Sequence, residues 1–137
     1  MDEAHMIELK KKIKDLDVED NVIFTGFTKD VNEHIKLCNT TVLATHKETF
    51  GLVVIESMIN KVPVIATANG GPLEIIDEWE NGLLFNRTSS DLVDKITLLY
   101  KDNELKTKFS VNGYKKVKKQ FDKDTQMKKM YEVINES

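Results

Sequence analysis

TTVLATHKETFGLVVIESMINKVPVIAT, residues 40–67, sets two short β-branched runs, 41–45 and 62–67, on either side of an apolar segment, 50–60, of helical length. Neither run alternates apolar with polar residues. Continuous apolar runs of this length read as strands covered on both faces, and strand–helix–strand order puts them in a parallel sheet. Two acids punctuate the unit: Glu48 precedes the helical segment and Glu56 breaks into it. A carboxylate is seldom buried without a partner, because taking its charge out of water is costly. The pair asks for a chemical explanation.

The same pattern continues outward. NVIFTGF (21–27) predicts a further buried strand ending in a turn at Gly26. Residues 3–17 place Met6, Leu9, Ile13 and Leu16 at helical spacing, an amphipathic surface helix. Residues 28–38 predict a helix with Val31, Ile35 and Cys38 on one face and Thr28 or Asp30 as its cap. On the other side, NGGPLEIIDEW (69–79) is a glycine turn into a short helix, with Pro72 suited to the first turn and Trp79 packing at the end. NGLLFN (81–86) is the fourth predicted strand, and helices follow over 90–100, 104–120 and 124–135. The fold class is α/β, a Rossmann-like parallel sheet with helices on both faces.

The chain's 137 residues are enough for one domain, and 40% apolar with 31% charged residues marks it as globular. A net charge of −3 gives no reason to expect nucleic-acid binding. Cys38 is the sole cysteine, so no internal disulfide forms, and a lone thiol in an apolar context fits a reducing, cytoplasmic compartment. No apolar run approaches a membrane span and no signal-peptide pattern occurs, so neither a spanning nor a secreted protein is expected. Lys115, Lys116, Lys118 and Lys119 read as a solvated helix face. The alternatives for this run are a peripheral contact with anionic lipid at the inner membrane face and a contact with a partner domain. His34 and Cys38 have a spacing two metal ligands could use, but no third ligand is near in sequence, and no metal is expected.

Ligands of open parallel sheets bind beyond the carboxyl ends of the strands. The turn after the run 41–45 lies there. The first amides of the helix it opens, Phe50 to Val53, have no helical partners, and with the helix dipole they form an anion site. Gly51 lets a ligand approach the backbone, and a β-branched residue there would fill the anion's place while leaving the fold intact. Glu48 lies just before the helix, and Glu56 lies nearly two turns into it, on the stripe of Leu52, Val53 and Ile59. Carboxylates repel phosphate but accept hydrogen bonds from hydroxyls well. A ligand with a diphosphate in the middle and a hydroxyl-rich group at each end fits this layout, and a nucleotide diphosphate sugar is such a ligand.

The stretch resembles the donor-binding, C-terminal domain of the retaining glycosyltransferases of the GT-B class, the group 1 family. That family's motif is a glutamate, seven residues and a second glutamate, here Glu48-TFGLVVI-Glu56. The ordered set ETFGLVVIESM, PVIAT, GGPLE and NGLLF carries the likeness, which is strongest over 21–85, with 1–137 read as one partial domain ending in the helices of 90–135. The resemblance implies that Glu48 is catalytic in the sense of holding donor-sugar hydroxyls near the reacting carbon. It implies that Glu56 binds the ribose, that the amides of Gly51, Leu52 and Val53 hold the diphosphate, and that Phe50 shapes the turn. Gly26 and Phe27 would lie against the base, with Gly70, Gly71 and Glu74 near the cleft. It implies transfer of a sugar to an acceptor hydroxyl with retention, without a metal or other cofactor.

The same resemblance implies that the family's first two strands are absent here, with the Arg and Lys that the family places near the diphosphate. A missing N-terminal domain or partner chain is then expected, and the chain alone should be inactive. In the doubly wound order, the strand at 21–27 would sit apart from the others. It should either pair with a new neighbour or leave open edges that invite association. Plainer readings stand beside these: Glu48 as a helix-start charge, Glu56 bonded to an interior amide, Gly26 as a simple turn, Phe27 as core, and the glycines as turn formers. The corresponding alternatives to an enzyme are a noncatalytic nucleotide-sugar-binding module and an inactive fragment docking onto a partner.

Overall fold

Val64–Thr67 is the central strand of a three-stranded parallel sheet, with Thr41–Leu43 on one side and Leu83–Phe85 on the other. In chain order these are β2, β1 and β3. Thr41 pairs with Val64 and Leu43 with Ala66, while Ile65 pairs with Leu83 and Thr67 with Phe85. All four residues of β2 are buried, as an unbroken apolar run in a covered strand requires. The structure, a computed structural model, describes residues 2–121 and 126–135. Its helices are α1 (Glu3–Asp15), α2 (Val31–Lys36), α3 (Leu52–Ile59), α4 (Gly71–Ile75), α5 (Ser89–Lys101), α6 (Asn103–Phe121) and α7 (Gln126–Asn135), with a 3₁₀ turn at Glu19–Asn21. The predicted start of the last helix at 124 lies outside the described residues.

The alternation of side chains along β2 divides the core in two. Val64 and Ala66 join Leu43, Val54, Ile55, Met58 and Val117 under α3. Ile65 joins Leu83, Phe85, Leu99 and Phe109 under α5. α6 serves both, through Phe109 in its first half and Val117 in its second. The expected helices on both faces are thus present. α3 is less enclosed than its composition suggests: Val54, Ile55, Ser57 and Met58 are buried, while Leu52, Val53, Glu56 and Ile59 are half-buried.

The predicted strand at 21–27 is corrected. No described strand lies beside it, and it contributes nothing to the sheet. Ile23 is 86% and Phe27 92% exposed. A strand exists through its hydrogen-bonded ladder, so apolar composition without a neighbour gives only an extended segment. The segment has not re-paired, and β1 has an open outer edge among the described residues. α1 is helical as expected, capped by the Asp2 side chain at Ala4 N, yet it buries no residue. Asp30 stands at the N-cap of α2 without a side-chain bond, and Thr28 accepts from Asp30 N instead. Ile35 is buried, but Cys38 is exposed, so its apolar setting is also corrected. Trp79 does not pack into the core: it is 46% exposed, with the Lys95 ammonium 5.2 Å from its ring centre. Within the lysine run, Lys116 is not purely solvated, since its Nζ lies 2.8 Å from Asp77 Oδ2.

Candidate donor site at the start of α3

The chain leaves β1 at Leu43, turns through residues 44–51 and enters α3 at Leu52. Gly51 makes that entry with φ +67°, a left-handed conformation that favours glycine. Its carbonyl accepts the first helical bond, from Ile55 N at 3.2 Å. The amides of Leu52, Val53 and Val54 are donors that an α-helix leaves without internal partners. Glu48 reaches back to this end: its Oε1 accepts a hydrogen bond from Gly51 N at 2.9 Å. The plain reading of Glu48 as a helix-start charge is therefore realised in this structure, and its carboxylate rests on one of the amides expected for the diphosphate.

Glu56 is placed differently. It is half-buried on α3, and among the described residues nothing donates a hydrogen bond to its carboxylate. The plain reading, an acid bonded to an interior amide, does not hold. Burial pushes its pKa up. Burial also pushes the Tyr131 phenol up, with the Glu56 carboxylate as a second cause, so α7 brings Tyr131 within electrostatic reach of Glu56. A carboxyl group whose folded pKa is raised holds its proton longer in the folded state. Its favourable contribution is complete below the unfolded pKa and is lost as pH rises through the folded value. Glu56→Gln is therefore expected to melt higher than the parent at neutral pH, by less than about 1 kcal/mol after solvent screening. The gap should close as pH falls into the ordinary carboxylate range. Melting curves at several pH values check this, and a gap that persists or reverses in acid would sink it.

The turn after β2 supports the Glu48 loop. Gly70 has φ +57° and ψ −137°, and a Cβ built on it would lie 1.7 Å from Glu48 O. Gly71 N donates to that same carbonyl at 3.0 Å, and a Cβ there would meet the Phe50 carbonyl carbon at 2.5 Å. The two glycines let one backbone turn lie flush on another, a role their turn chemistry alone did not reveal. Gly51 is buried against the same turn, and its Cβ would lie 2.9 Å from Ile75 Cδ1 and 3.3 Å from Pro72 N. The expectation that a β-branched residue at 51 spares the fold is corrected accordingly.

The structure thus brings Glu48, Phe50, Gly51, Leu52, Val53 and Glu56 together around one helix start. Gly26 has no atom within 4 Å of a Cβ built on it, and Phe27 is exposed. Gly26 has φ +65°, as its plain reading as a turn requires. Two residues that the sequence did not single out touch the loop. Asn69 bonds it with both ends of its amide, and Arg87 Nη2 donates to His46 O at 2.9 Å. An asparagine ahead of a glycine pair was the only available signal for the first. Nothing local signalled the second, which is 41 residues distant in sequence. Among the described residues no group of three or more His, Cys, Asp and Glu could hold a metal ion, and no helix is long and apolar enough to cross a membrane.

Comparison with known proteins places these features in context. The family glycosyl transferases group 1 matches residues 3–116. N-acetyl-alpha-D-glucosaminyl L-malate synthase of Bacillus anthracis is 32% identical over 123 residues, which cover 89% of this chain and 32% of that protein. The chain thus spans about a third of the length of such a curated relative. Among solved structures, the C-terminal domain of the group 1 family protein LpcC from Francisella tularensis superposes with a TM-score of 0.78 at 38% identity, covering 88% of this chain and 64% of that one. Anabaena HepE in complex with UDP-glucose superposes with a TM-score of 0.86 at 26% identity, covering 99% of this chain and 38% of that one.

Proposed function

We propose, from the premise that this chain belongs to the glycosyl transferases group 1 family, that it supplies the donor-binding half of a retaining sugar transfer. The donor is a nucleotide diphosphate sugar and the acceptor is a hydroxyl. One observation carries the reading: Glu56, half-buried and with no donor to its carboxylate among the described residues, stands on the helix whose first amides are open to an anion. A ribose would give that carboxylate the hydroxyl donors it lacks. The α3 amides of Leu52 and Val53 would take the diphosphate and stabilise the charge that develops on it as the sugar leaves. Glu48 would turn from Gly51 N to the donor-sugar hydroxyls, exchanging one hydrogen bond for others. The HepE complex supports a nucleotide-sugar ligand by analogy, since that structure holds UDP-glucose. No metal is needed if helix dipoles and basic side chains neutralise the leaving group.

The acceptor half would come from an N-terminal domain or a partner chain. The open β1 edge and the exposed Ile23 and Phe27 favour such an association. They equally support the alternative of an inactive fragment that docks onto a partner. A peripheral contact with anionic lipid through the lysines of α6, and a cytoplasmic location, belong to the same reading. Calorimetric titration of the chain with UDP, GDP and ADP and their glucose or mannose conjugates tests it. Binding of one nucleotide series is expected; no binding to any would favour the docking fragment. Glu48→Ala should weaken the matching nucleotide sugar about tenfold and spare the free nucleotide. Equal losses for both ligands would overturn the assignment of Glu48 to the sugar end.

A further inference from the structure

We infer that Asn69 is a positioning residue that fixes the loop carrying Glu48. The inference deepens the reading above and rests on it only where it concerns the sugar. Asn69 lies in the turn between β2 and α4, half-buried, and faces the loop after β1. Its Nδ2 donates to Thr45 O at 3.2 Å and to His46 O at 3.3 Å, while its Oδ1 accepts from Glu48 N at 3.4 Å. One planar amide thus spans the loop, two donors on one side of Lys47 and one acceptor on the other. Each bond is long and individually weak, but all three converge on four consecutive residues. Two further bonds act on the same backbone: Gly71 N on Glu48 O at 3.0 Å, and Arg87 on His46 O. The Glu48 backbone is therefore held on both its N–H and its C=O, and its side chain is left to move between Gly51 N and a ligand. A carboxylate that must meet sugar hydroxyls gains from a backbone that does not wander, because small displacements at a site are expensive.

The chemistry of the clamp singles out an amide. Aspartate keeps the size and the acceptor but loses both donors, and it sets a negative oxygen against two carbonyls. Alanine removes all three bonds. The test compares Asn69→Asp, Asn69→Ala and Asn69→Gln with the parent in two ways. Hydrogen exchange without ligand reads the clamp itself. Protection of the Glu48 and Gly71 amides should fall about tenfold or more in the Ala variant; in the Asp variant, whose remaining acceptor still meets Glu48 N, the fall should show at Gly71, while β2 amides keep theirs. Titration with UDP and UDP-glucose, the ligand pair suggested by the HepE complex, reads the consequence. UDP-glucose affinity should drop about tenfold while UDP affinity stays within twofold, with partial recovery in Asn69→Gln. Unchanged exchange at both amides would overturn the clamp. A loosened loop with equal losses for UDP and UDP-glucose would overturn its link to the sugar end. If the parent binds another nucleotide series in place of UDP, that pair replaces UDP and UDP-glucose; if it binds none, the functional reading fails, and exchange alone still decides whether Asn69 holds the loop.

Discussion

Gly70→Ala is expected to destabilise the chain by about 3 kcal/mol or more, a large share of the roughly 5–15 kcal/mol that holds a domain folded. Two independent effects act at this position. The backbone, at φ +57° and ψ −137°, is in a region open essentially to glycine. The added methyl would also sit 1.7 Å from Glu48 O, and backbone cannot step aside as the end of a side chain can. Relief requires the turn after β2 to separate from the loop after β1, which breaks the Gly71-to-Glu48 bond and exposes Pro72 and Ile75. Gly26→Ala is the natural control. It has a similar positive φ, +65°, but open space around it, so it should cost only about 1–2 kcal/mol of left-handed strain. Urea unfolding of both variants measures the contrast. A Gly70→Ala chain within about 1 kcal/mol of the parent would show that the two turns are not in register as described.

Glu56→Ala is expected to weaken binding of the nucleoside diphosphate by about 1.5–3 kcal/mol, the range for a hydrogen bond to a charged group. The loss should be the same for the free nucleotide and for the nucleotide sugar, because Glu56 is assigned to the ribose that both contain. Folding should not suffer, since removing a half-buried carboxylate without a hydrogen-bond donor costs the native state little. Titration and a thermal melt on the same preparation separate the two effects. Normal nucleotide affinity with Ala at 56 would remove the carboxylate from the site and leave it a plain surface acid.

The unit from β1 to β2 was readable in the residues because β2 is buried along its whole length, although in β1 only Leu43 is buried and Val42 is exposed. Coverage demands continuous apolar runs, and those are visible without knowing what does the covering. The same logic misled at residues 21–27. Val22, Ile23 and Phe24 have the composition of a covered strand, but pairing is a property of two segments, and one sequence run cannot report a neighbour's absence. Trp79 and Cys38 misled for a related reason: an apolar side chain near a helix end suggests packing, but exposure depends on which element comes past. Of the site, the glutamate pair and Gly51 were legible because unusual residues stood in an apolar helix. The direction of the Glu48 side chain was not, since a carboxylate before a helix can face its own amides or a ligand at little difference in energy. Asn69 and Arg87 were hidden because their work is done across the sheet's carboxyl edge, where spacing in sequence carries no information.

The order of the strands in space is their order in the chain, and this sets a timetable for biosynthesis. The two crossovers, residues 44–63 and 68–82, close short loops, whose entropic cost rises only slowly with length. β1, α3 and β2 can therefore dock as they leave the ribosome, before β3 exists. The opposite face of β2 must wait. Ile65 has no cover until Leu99 and Phe109 arrive, more than thirty residues later in synthesis. During that interval the nascent chain carries a bare aliphatic stripe, which makes α5 and α6 the elements whose delay or loss would first engage the cell's chaperones.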